Sequence, residues 1–455
     1  MTESKSVGPE PEFAAFVALD WADREHAWAL EAPGTRRERG RLEQTPEAVE
    51  AWAAGLAERF GGRPVAVALE QSRGALVCWL QKFAHLVLYP IHPTTASKFR
   101  AALFPSGHKD DPEDADLLLD FLMQQRGRLR ALRPDTEATR KLQALVEKRR
   151  QLVDTRTAHT NSITDLLKVY FPQALRWFED LASPLAAAAL QRWPTLRQLQ
   201  AEDPGQVRRF FRRHHCSPTR IEERLEGIGK AHPAVEDPAI VEPGVLMVGA
   251  LLKVVAAVRE GIAGLDREIE KVFAGHADAP LFASLPGAGA ALAPRLLAAL
   301  GSRRDRFGSA EEVLCYSGIA PVMARSGKTQ LWIHFRWACP KFLRQSFHEF
   351  AECSIPHCES ARDFYRQQRA KQKKHHAAVR ALAFKWIRIL FRCWQNHQPY
   401  HEELYVAARQ KRAVPLPAPA PVSAPLPAYG AACEKTVDSG LKKIDEVVNI
   451  LLARA

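Results

Sequence analysis

FVALDWA, residues 16–22, and PVAVALEQSRG, residues 64–74, are the two stretches on which the fold turns. Each contains a run of Val, Ala and Leu that stops at a carboxylate, Asp20 in the first and Glu70 in the second. Apolar runs without polar alternation suit strands buried on both faces. Working outward, Phe13–Leu19 reads as a first strand, His26–Ala32 as a second and the more polar Arg37–Gln44 as a third. Thr45-Pro46 opens a helix to about Phe60, with Thr45 suited to the N-cap and Pro46 to the first helical position. Pro64–Leu69 is then a strand, followed by a helix to about Phe83 and a strand at Leu86–Ile91. A helix over Thr94–Ala102, a loop over Phe104–Asp111 and a helix over Pro112–Gln125 complete an α/β reading of residues 13–126.

The chain has 455 residues, enough for about three domains. Its 46% hydrophobic and 25% charged residues are ordinary for a globular protein and exclude a disordered, collagen-like or disulfide-stapled chain. No uncharged apolar run reaches the ~18 residues of a membrane span, because Lys253 and Arg295 interrupt the candidates. The opening MTESKSVGPEPEF lacks the apolar stretch of a secretory signal. Eight scattered Cys read as reduced thiols, so a cytoplasmic location without membrane contact is expected. The net charge of +12 is concentrated: Met323–Arg412 holds 18 Lys+Arg against 6 Asp+Glu, while the remainder carries 46 of each sign. A neutral body with one basic segment points to a polyanion partner there, although a solvated helix face has the same composition.

Residues 137–171 predict a long helix, with Leu142, Leu145, Arg149, Leu152, Arg156, His159, Ile163, Leu166 and Tyr170 at 3/4 spacing. Val248, Leu251, Val255, Val258, Ile262, Leu265, Ile269 and Val272 give a second and cleaner seam, the pattern of a coiled coil or long antiparallel hairpin. Between them, 172–243 reads as a helical insert. Residues 280–412 form a further, mostly helical unit. Six Pro between Pro415 and Pro427 mark a semi-rigid linker over 413–433. Val437, Leu441, Ile444, Val448 and Leu451 then predict an amphipathic helix within 434–455.

Asp20, Glu70, Asp111 and Asp114 are the first candidate site. Carboxylates at the ends of neighbouring strands converge, and Asp111 and Asp114, three apart on a helix, share a face. Clustered carboxylates repel unless cations lie between them, and hard oxygen donors suit Mg²⁺ or Mn²⁺. Two such ions ~4 Å apart would serve phosphodiester chemistry. Any one of these residues alone reads as an ordinary strand-end or capping Asp or Glu. Asp110 competes with Asp111 for the third position, the spacing to Asp114 favouring Asp111.

Leu285-Pro286-Gly287-Ala288-Gly289, ahead of an Ala/Leu-rich helix through Leu300, lacks the preceding strand and third glycine of a dinucleotide site. A Gly-rich turn between helices either presents N–H groups to a nucleic-acid phosphate or is a plain turn. Ser326, in Arg325-Ser326-Gly327-Lys328, is a candidate nucleophile that requires activation; alone it reads as a loop serine. Gly287, Gly289, Arg325, Lys328, Lys373, Lys374, Arg380, Lys385 and Arg388 are the candidate nucleic-acid contacts. His348, Cys353, His357 and Cys358 match no standard zinc spacing. Trp332, Trp337, Trp386 and Trp394 sit among basic residues, where base stacking competes with the core packing their helical spacing favours.

Taken together, FVALDWA, VALEQSRG and HKDDPEDADLL in the first half, with LPGAGAALAPRLLAALG, RFGSAEEVLCYSGIAPVMARSGK and HHAAVRALAFKWIRILFRCWQNHQPY in the second, resemble the insertion-sequence DEDD transposases of the IS one-ten family. The resemblance spans roughly residues 13–405. It implies a ribonuclease H-like (RuvC-like) domain over 13–130, a helical coiled-coil region over 131–279 and a mostly α-helical transposase domain over 280–412. It also implies Mg²⁺ (or Mn²⁺) on Asp20, Glu70, Asp111 and Asp114, and attack by Ser326 to give a covalent phosphoserine link. Donor and target DNA, a structured bridge RNA pairing with both, and a homo-oligomer, dimer or tetramer, are the implied partners. The family's Lys-Thr-Asp is here Lys109-Asp110-Asp111. Two other functions fit the same residues: a metal-dependent junction-resolving endonuclease with water as nucleophile, and a non-catalytic nucleic-acid scaffold.

Overall fold

A computed structural model of the chain describes residues 12–103, 111–326, 330–404 and 406–407, with the side chains of 111–112, 324–326 and 330–333 outside the description. Two compact units meet between Asp135 and Thr136. The expected Pro-rich linker at 413–433 and the helix at 434–455 lie outside the described residues.

The first unit is built on a mixed five-stranded sheet. Its strands are β1 (Ala15–Asp20), β2 (Glu25–Glu31), β3 (Glu38–Glu43), β4 (Val65–Leu69) and β5 (Leu86–Pro90), in the order β3-β2-β1-β4-β5. β1, β2 and β3 pair antiparallel, while β4 runs parallel to both β1 and β5. Helices α1 (Pro46–Arg59), α2 (Ala75–Leu80), α3 (Pro93–Leu103) and α4 (Asp111–Gln125) accompany the sheet. The Thr45 side chain accepts from the Ala48 N–H, the cap expected from its position before Pro46.

The alternation hidden inside FVALD and VAVAL separates large from small residues. Val17, Leu19, Val65, Val67 and Leu69 pack with Val49, Ala53 and Leu56 of α1 and Leu76, Val77 and Leu80 of α2. Ala18, Ala66 and Ala68 face the other way, against Ala115, Leu118, Leu119 and Leu122 of α4. Both faces are therefore apolar and covered, which is why these strands show no polar alternation. Small residues on one face let α4 lie close to the sheet. Arg37 and Arg39 then reach from the β3 side to Asp116 and Asp120 on α4. Such half-exposed ion pairs add little energy but fix the helix direction.

The second unit has a spine of two long helices. Its helices are α5 (Glu137–Tyr170), α6 (Ala174–Trp177), α7 (Pro184–Arg192), α8 (Leu196–Ala201), α9 (Pro204–Arg213), α10 (Pro218–Lys230) and α11 (Pro238–Ala274), followed by α12 (Ala279–Ala283), α13 (Gly289–Leu300) and α14 (Ala310–Tyr316). A hairpin of β6 (Val322–Ser326) and β7 (Gln330–His334) precedes α15 (Lys341–Ser354), α16 (Glu359–Ala370) and α17 (His375–Gln395). α5 and α11 lie antiparallel: Lys141 Nζ donates to Glu268 at 2.6 Å, Leu152 lies beside Gly261, and Tyr170 lies beside Gly244. The basic seam position Arg149 is matched by Asp266 of α11. One end of the pair enters a core with α13, α15 and α17, through Leu142, Val146 and Ile269. The other enters the core of the insert, through Ile163, Leu167, Tyr170, Val248, Leu251, Leu252 and Val255.

Three features depart from the sequence reading. α11 begins ten residues before the first seam position and runs through Pro243, which the first turns of the helix accommodate. By length and composition alone it is long and apolar enough to cross a membrane, although Lys253 interrupts it. Val248, Leu251, Leu252 and Val255 of this stretch enter the insert core, while Leu246 and Met247 are exposed. The β6–β7 hairpin was not expected within a unit read as helical.

His26, fully enclosed at the start of β2, accepts from the Ala22 N–H at 3.1 Å through Nδ1 and bonds Gln44 through Nε2. Burial, the larger influence, pushes its pKa below the ordinary 6.5, against the opposing Gln44 contact. The folded state therefore holds neutral His26, and its contribution is present above the unfolded pKa and lost as pH falls. We predict that chemical unfolding of the wild type weakens below pH 6.5 with an added slope of at most ~1.4 kcal/mol per pH unit, and that His26→Gln removes this component. An identical pH dependence in the two proteins would refute it.

Candidate active site and nucleic-acid interface

The register of the central strands sets the first site. Leu19 pairs with Leu69 across the parallel β1–β4 ladder, so Asp20 and Glu70 are the next residues on adjacent strands. Both carboxylates line one cavity of 310 Å³ with Trp21, Ala22, Pro93, Ser97, Arg100 and Asp114. The convergence expected of Asp20 and Glu70 is thus present, and α4 brings Asp114 to the same cavity. Asp111 is the first residue of α4; its side chain, and all of Asp110, lie outside the described residues.

Arg100 of α3 is a member of this site that motif reading passed over. It forms an ion pair with Asp114, whose side chain is only 7% exposed. A buried carboxylate needs a counter-charge, and Arg100 supplies it. The one sequence signal was a cation on the helix leading into an acidic loop. The donor set, three carboxylates on one polar cavity, has the hard-oxygen chemistry of a Mg²⁺ or Mn²⁺ site. Among the described residues, however, no three acidic, His or Cys side chains stand close enough together to hold an ion. Loading would require Arg100 to give up Asp114 and the carboxylates to draw in.

The second candidate site lies in the other unit. Gly287 and Gly289 both have positive φ, +77° and +54°. They differ in surroundings: a Cβ on Gly287 would run into the Cys353 carbonyl at the end of α15, whereas Gly289 faces open space. Gly287 therefore serves packing, and only the Gly289 side of the turn is open to a ligand. Ser326 is the last residue of β6 and pairs with Gln330 of β7. The side chains of Arg325 and Ser326, and Lys328 altogether, lie outside the described residues.

The base of that hairpin is held by guanidinium groups. Arg380, 7% exposed, donates to the Gly318 carbonyl at 2.7 Å and the Ile319 carbonyl at 3.2 Å. Arg336 donates to the Ala320 carbonyl at 3.3 Å. Arg344 and Arg380 both stack on Phe335, at 4.6 and 4.5 Å. Burial, and then the neighbouring Arg344, lowers the Arg380 pKa to about 10, so it stays charged at neutrality. Expected as a phosphate contact, Arg380 is instead spent on backbone carbonyls. Lys373 is also 7% exposed and donates to Gln368 Oε1 at 2.8 Å. Lys385 is half-buried over Phe364. Arg388 is exposed and paired with Glu311, and Lys374 is exposed. Net charge over the segment thus overstated the free cations, because counting does not see burial. Exposed Arg366 and Arg369 on α16 and exposed Lys371 were missed singly; for the two arginines, the 3/4 spacing with Arg362 was the available signal. Trp386 and Trp394 are core residues, donating to Ser354 Oγ at 2.8 Å and the Gly301 carbonyl at 2.7 Å, whereas Trp337 is 63% exposed.

Comparison with known proteins fits this two-part layout. A transposase profile of the DEDD IS110 type matches residues 17–172, and the profile described as "Transposase IS116/IS110/IS902 family" matches residues 279–366. The "Mini-circle putative transposase for IS117" of Streptomyces coelicolor is 29% identical over 87% of this chain and 97% of its own length. The "Insertion element IS110 uncharacterized 43.6 kDa protein" of the same organism is 27% identical over 74% of this chain and 82% of its own. The IS900 42 kDa protein of Mycobacterium paratuberculosis is 27% identical over 66% and 75%. A sheet whose carboxylates gather at one end, joined in sequence to a helical unit with its own profile, defines the class as a DNA transposase or recombinase enzyme. The chain belongs to the IS110 family of transposases.

The two glycines give a direct test of the turn. Gly287→Ala should cost ~1–3 kcal/mol for overpacking against Cys353 in addition to ~1–2 kcal/mol for its positive φ. Gly289→Ala should cost only the second amount. Urea midpoints of the two variants check the difference, and equal losses would refute the packing role.

Proposed function

We propose that this transposase cuts and rejoins DNA for an insertion sequence by combining an acidic metal site with a serine nucleophile. In this reading Asp20, Glu70, Asp111 and Asp114 hold Mg²⁺ (or Mn²⁺), and Ser326 attacks the scissile phosphodiester. The observation that carries it is the placement of Asp20 and Glu70 on adjacent parallel strand ends, with Asp114 on the same cavity. The strand order β3-β2-β1-β4-β5, with three antiparallel strands leading into parallel ones, supports a ribonuclease H-like (RuvC-like) assignment for residues 13–130. The antiparallel α5–α11 pair supports a coiled-coil role for 131–279, and 280–412 is then the serine-bearing transposase domain.

A bound divalent ion would supply charge neutralisation at the scissile phosphate and a more acidic nucleophile. The chain's own groups do the rest. Arg100, released from Asp114, becomes free to pair with a phosphate oxygen, so one cation serves the empty and the loaded site in turn. When the Ser326 Oγ–phosphorus bond forms, one phosphorus–deoxyribose oxygen bond breaks, and the proton lost by the serine is balanced by one gained by the departing deoxyribose oxygen, which leaves as a hydroxyl. The seryl phosphodiester keeps the bond energy, and a second strand's hydroxyl displaces the serine to rejoin DNA. Lys374, Arg388, Gly289 and the two groups outside the described residues, Arg325 and Lys328, are the proposed backbone contacts. Guidance by a structured bridge RNA and assembly as a dimer or tetramer belong to the same proposal, carried by family resemblance.

With purified protein, its co-purifying RNA and DNA bearing the element's ends, Asp20→Asn should abolish divalent-dependent cleavage. Ser326→Ala should abolish both strand exchange and a protease-sensitive protein–DNA adduct. Unchanged strand exchange in Ser326→Ala would overturn the serine mechanism and leave water as nucleophile. Only random cellular RNA in the preparation would overturn guidance.

A further inference from the structure

We infer that Trp21 is a stacking platform for an unpaired nucleobase of the DNA strand whose phosphate lies at the carboxylates; the inference rests on that reading of the carboxylate site. Trp21 immediately follows Asp20 and lines the same cavity as Asp20, Glu70, Arg100 and Asp114. It is 43% exposed and belongs to neither apolar core of its unit. Trp28, Trp52 and Trp79 all pack against one of those cores, and Trp28 lies directly over Gly40. A partly exposed indole that joins neither core and lines a polar, acidic cavity offers a ring face to a planar ligand.

The backbone beneath it is unusually well held for a turn. Asp20 pairs with Ala27 at the end of the β1–β2 ladder. On the other side, the Ala22 N–H donates to His26 Nδ1, and His26 is fixed by Gln44 beside Arg41 and Leu42 at the end of β3. The ring is therefore presented from a braced position, so little ordering is needed when a planar ligand arrives. A cavity lined by carboxylates repels free anions, and a nucleotide strand would enter only with cations at its phosphate. The residue next to that phosphate carries a base. Inside a duplex both base faces are covered by neighbours, so an indole gains a face only from a base that is unpaired or displaced. Stacking of this kind is tolerant of sequence, which suits an enzyme whose carboxylates act at the backbone.

The test uses full-length protein in Ca²⁺, an ion that supports binding with little cleavage. Two probes are compared: a single-stranded oligo-dT, and an oligonucleotide of equal length with abasic sugars, which keeps the phosphates and removes the base faces. Wild type should prefer oligo-dT. Trp21→Ala should lose about five- to a hundredfold of oligo-dT affinity, the range for one base–aromatic stack, with abasic affinity unchanged. Trp21→Phe should restore most of the preference. An oligo-dT preference in Trp21→Ala equal to that of wild type, or equal losses on both probes, would overturn the inference. Cleavage in Mg²⁺ by wild type, lost in Asp20→Asn, is scored separately. Its absence overturns the metal-site reading, whereas intact cleavage beside an unchanged Trp21→Ala preference overturns the stacking inference alone.

Discussion

The parallel pairing of β1 with β4 is the constraint on which the first unit depends. It places Leu19 against Leu69, and everything chemical about the unit begins one residue later. Parallel neighbours end at the same edge, so two carboxylates that follow two apolar runs must be neighbours as well. An antiparallel pairing of the same strands would have put Asp20 and Glu70 at opposite edges. The register is secured from both faces: a shift by one residue would turn Val17, Leu19, Val65 and Val67 toward α4 and the alanines toward α1 and α2. Neither helix layer would fit. The position of the acidic edge is therefore a by-product of core packing, and stability and chemistry are written into the same two short stretches.

The second unit solves a different problem, that of joining two cores with one pair of helices. α5 and α11 bury Leu142, Val146 and Ile269 at one end and Ile163, Leu167, Val248 and Leu252 at the other. Arg149 meets Asp266 across the stretch that follows the first end, and Lys141 meets Glu268 at that end itself. Ion pairs between half-exposed helices contribute little to stability, but opposite charges at set positions choose a register that apolar contacts alone leave loose. Gly244 and Gly261 do the complementary work by allowing Tyr170 and Leu152 to approach the α11 backbone. This is part of why the α5 seam looked imperfect when read alone: its basic position Arg149 is completed by a carboxylate more than a hundred residues later.

That distance explains much of what was and was not legible beforehand. Local rules recovered β1, β4 and β5 to within about two residues, and the Thr45 cap and α5 nearly to the residue, because each is set by its own pattern; the start of α11 lay ten residues ahead of its apolar seam. Convergence of Asp20 with Glu70 was legible only as a condition, that the two strands be neighbours, since no local rule states which strands pair. Arg100 was invisible as a site residue because its significance lies in meeting Asp114, fourteen positions on and in the next helix. The β6–β7 hairpin was hidden by its surroundings: RSGKTQ has the turn residues of a hairpin, yet helices flank it and no polar alternation marks its strands. Arg380 and Lys373 were misplaced for a related reason. They sit in the most basic stretch of the chain, and composition alone does not separate a cation facing solvent from one folded inward onto carbonyls.

The inward-facing arginines bear on how the serine segment is positioned. Arg380 and Arg336 tie the Gly318–Ala320 backbone, which leads into β6, to α17 and to the segment that follows β7. Arg344 and Arg380 both stack on Phe335, just beyond the end of β7. Burying a guanidinium is costly unless its donors are satisfied, and the lowered pKa of Arg380 records that cost. An apolar residue there would pack without it, but it would leave the Gly318 and Ile319 carbonyls unpaired and the hairpin free to rock about its base. Charge-assisted bonds to carbonyls have a narrow geometry, so the arrangement trades stability for a defined direction. Both candidate sites thus follow one design. Arg100 holds a carboxylate in the first unit, Arg380 holds the root of the serine hairpin in the second, and the residues proposed for chemistry stand at the free ends of elements whose roots are fixed.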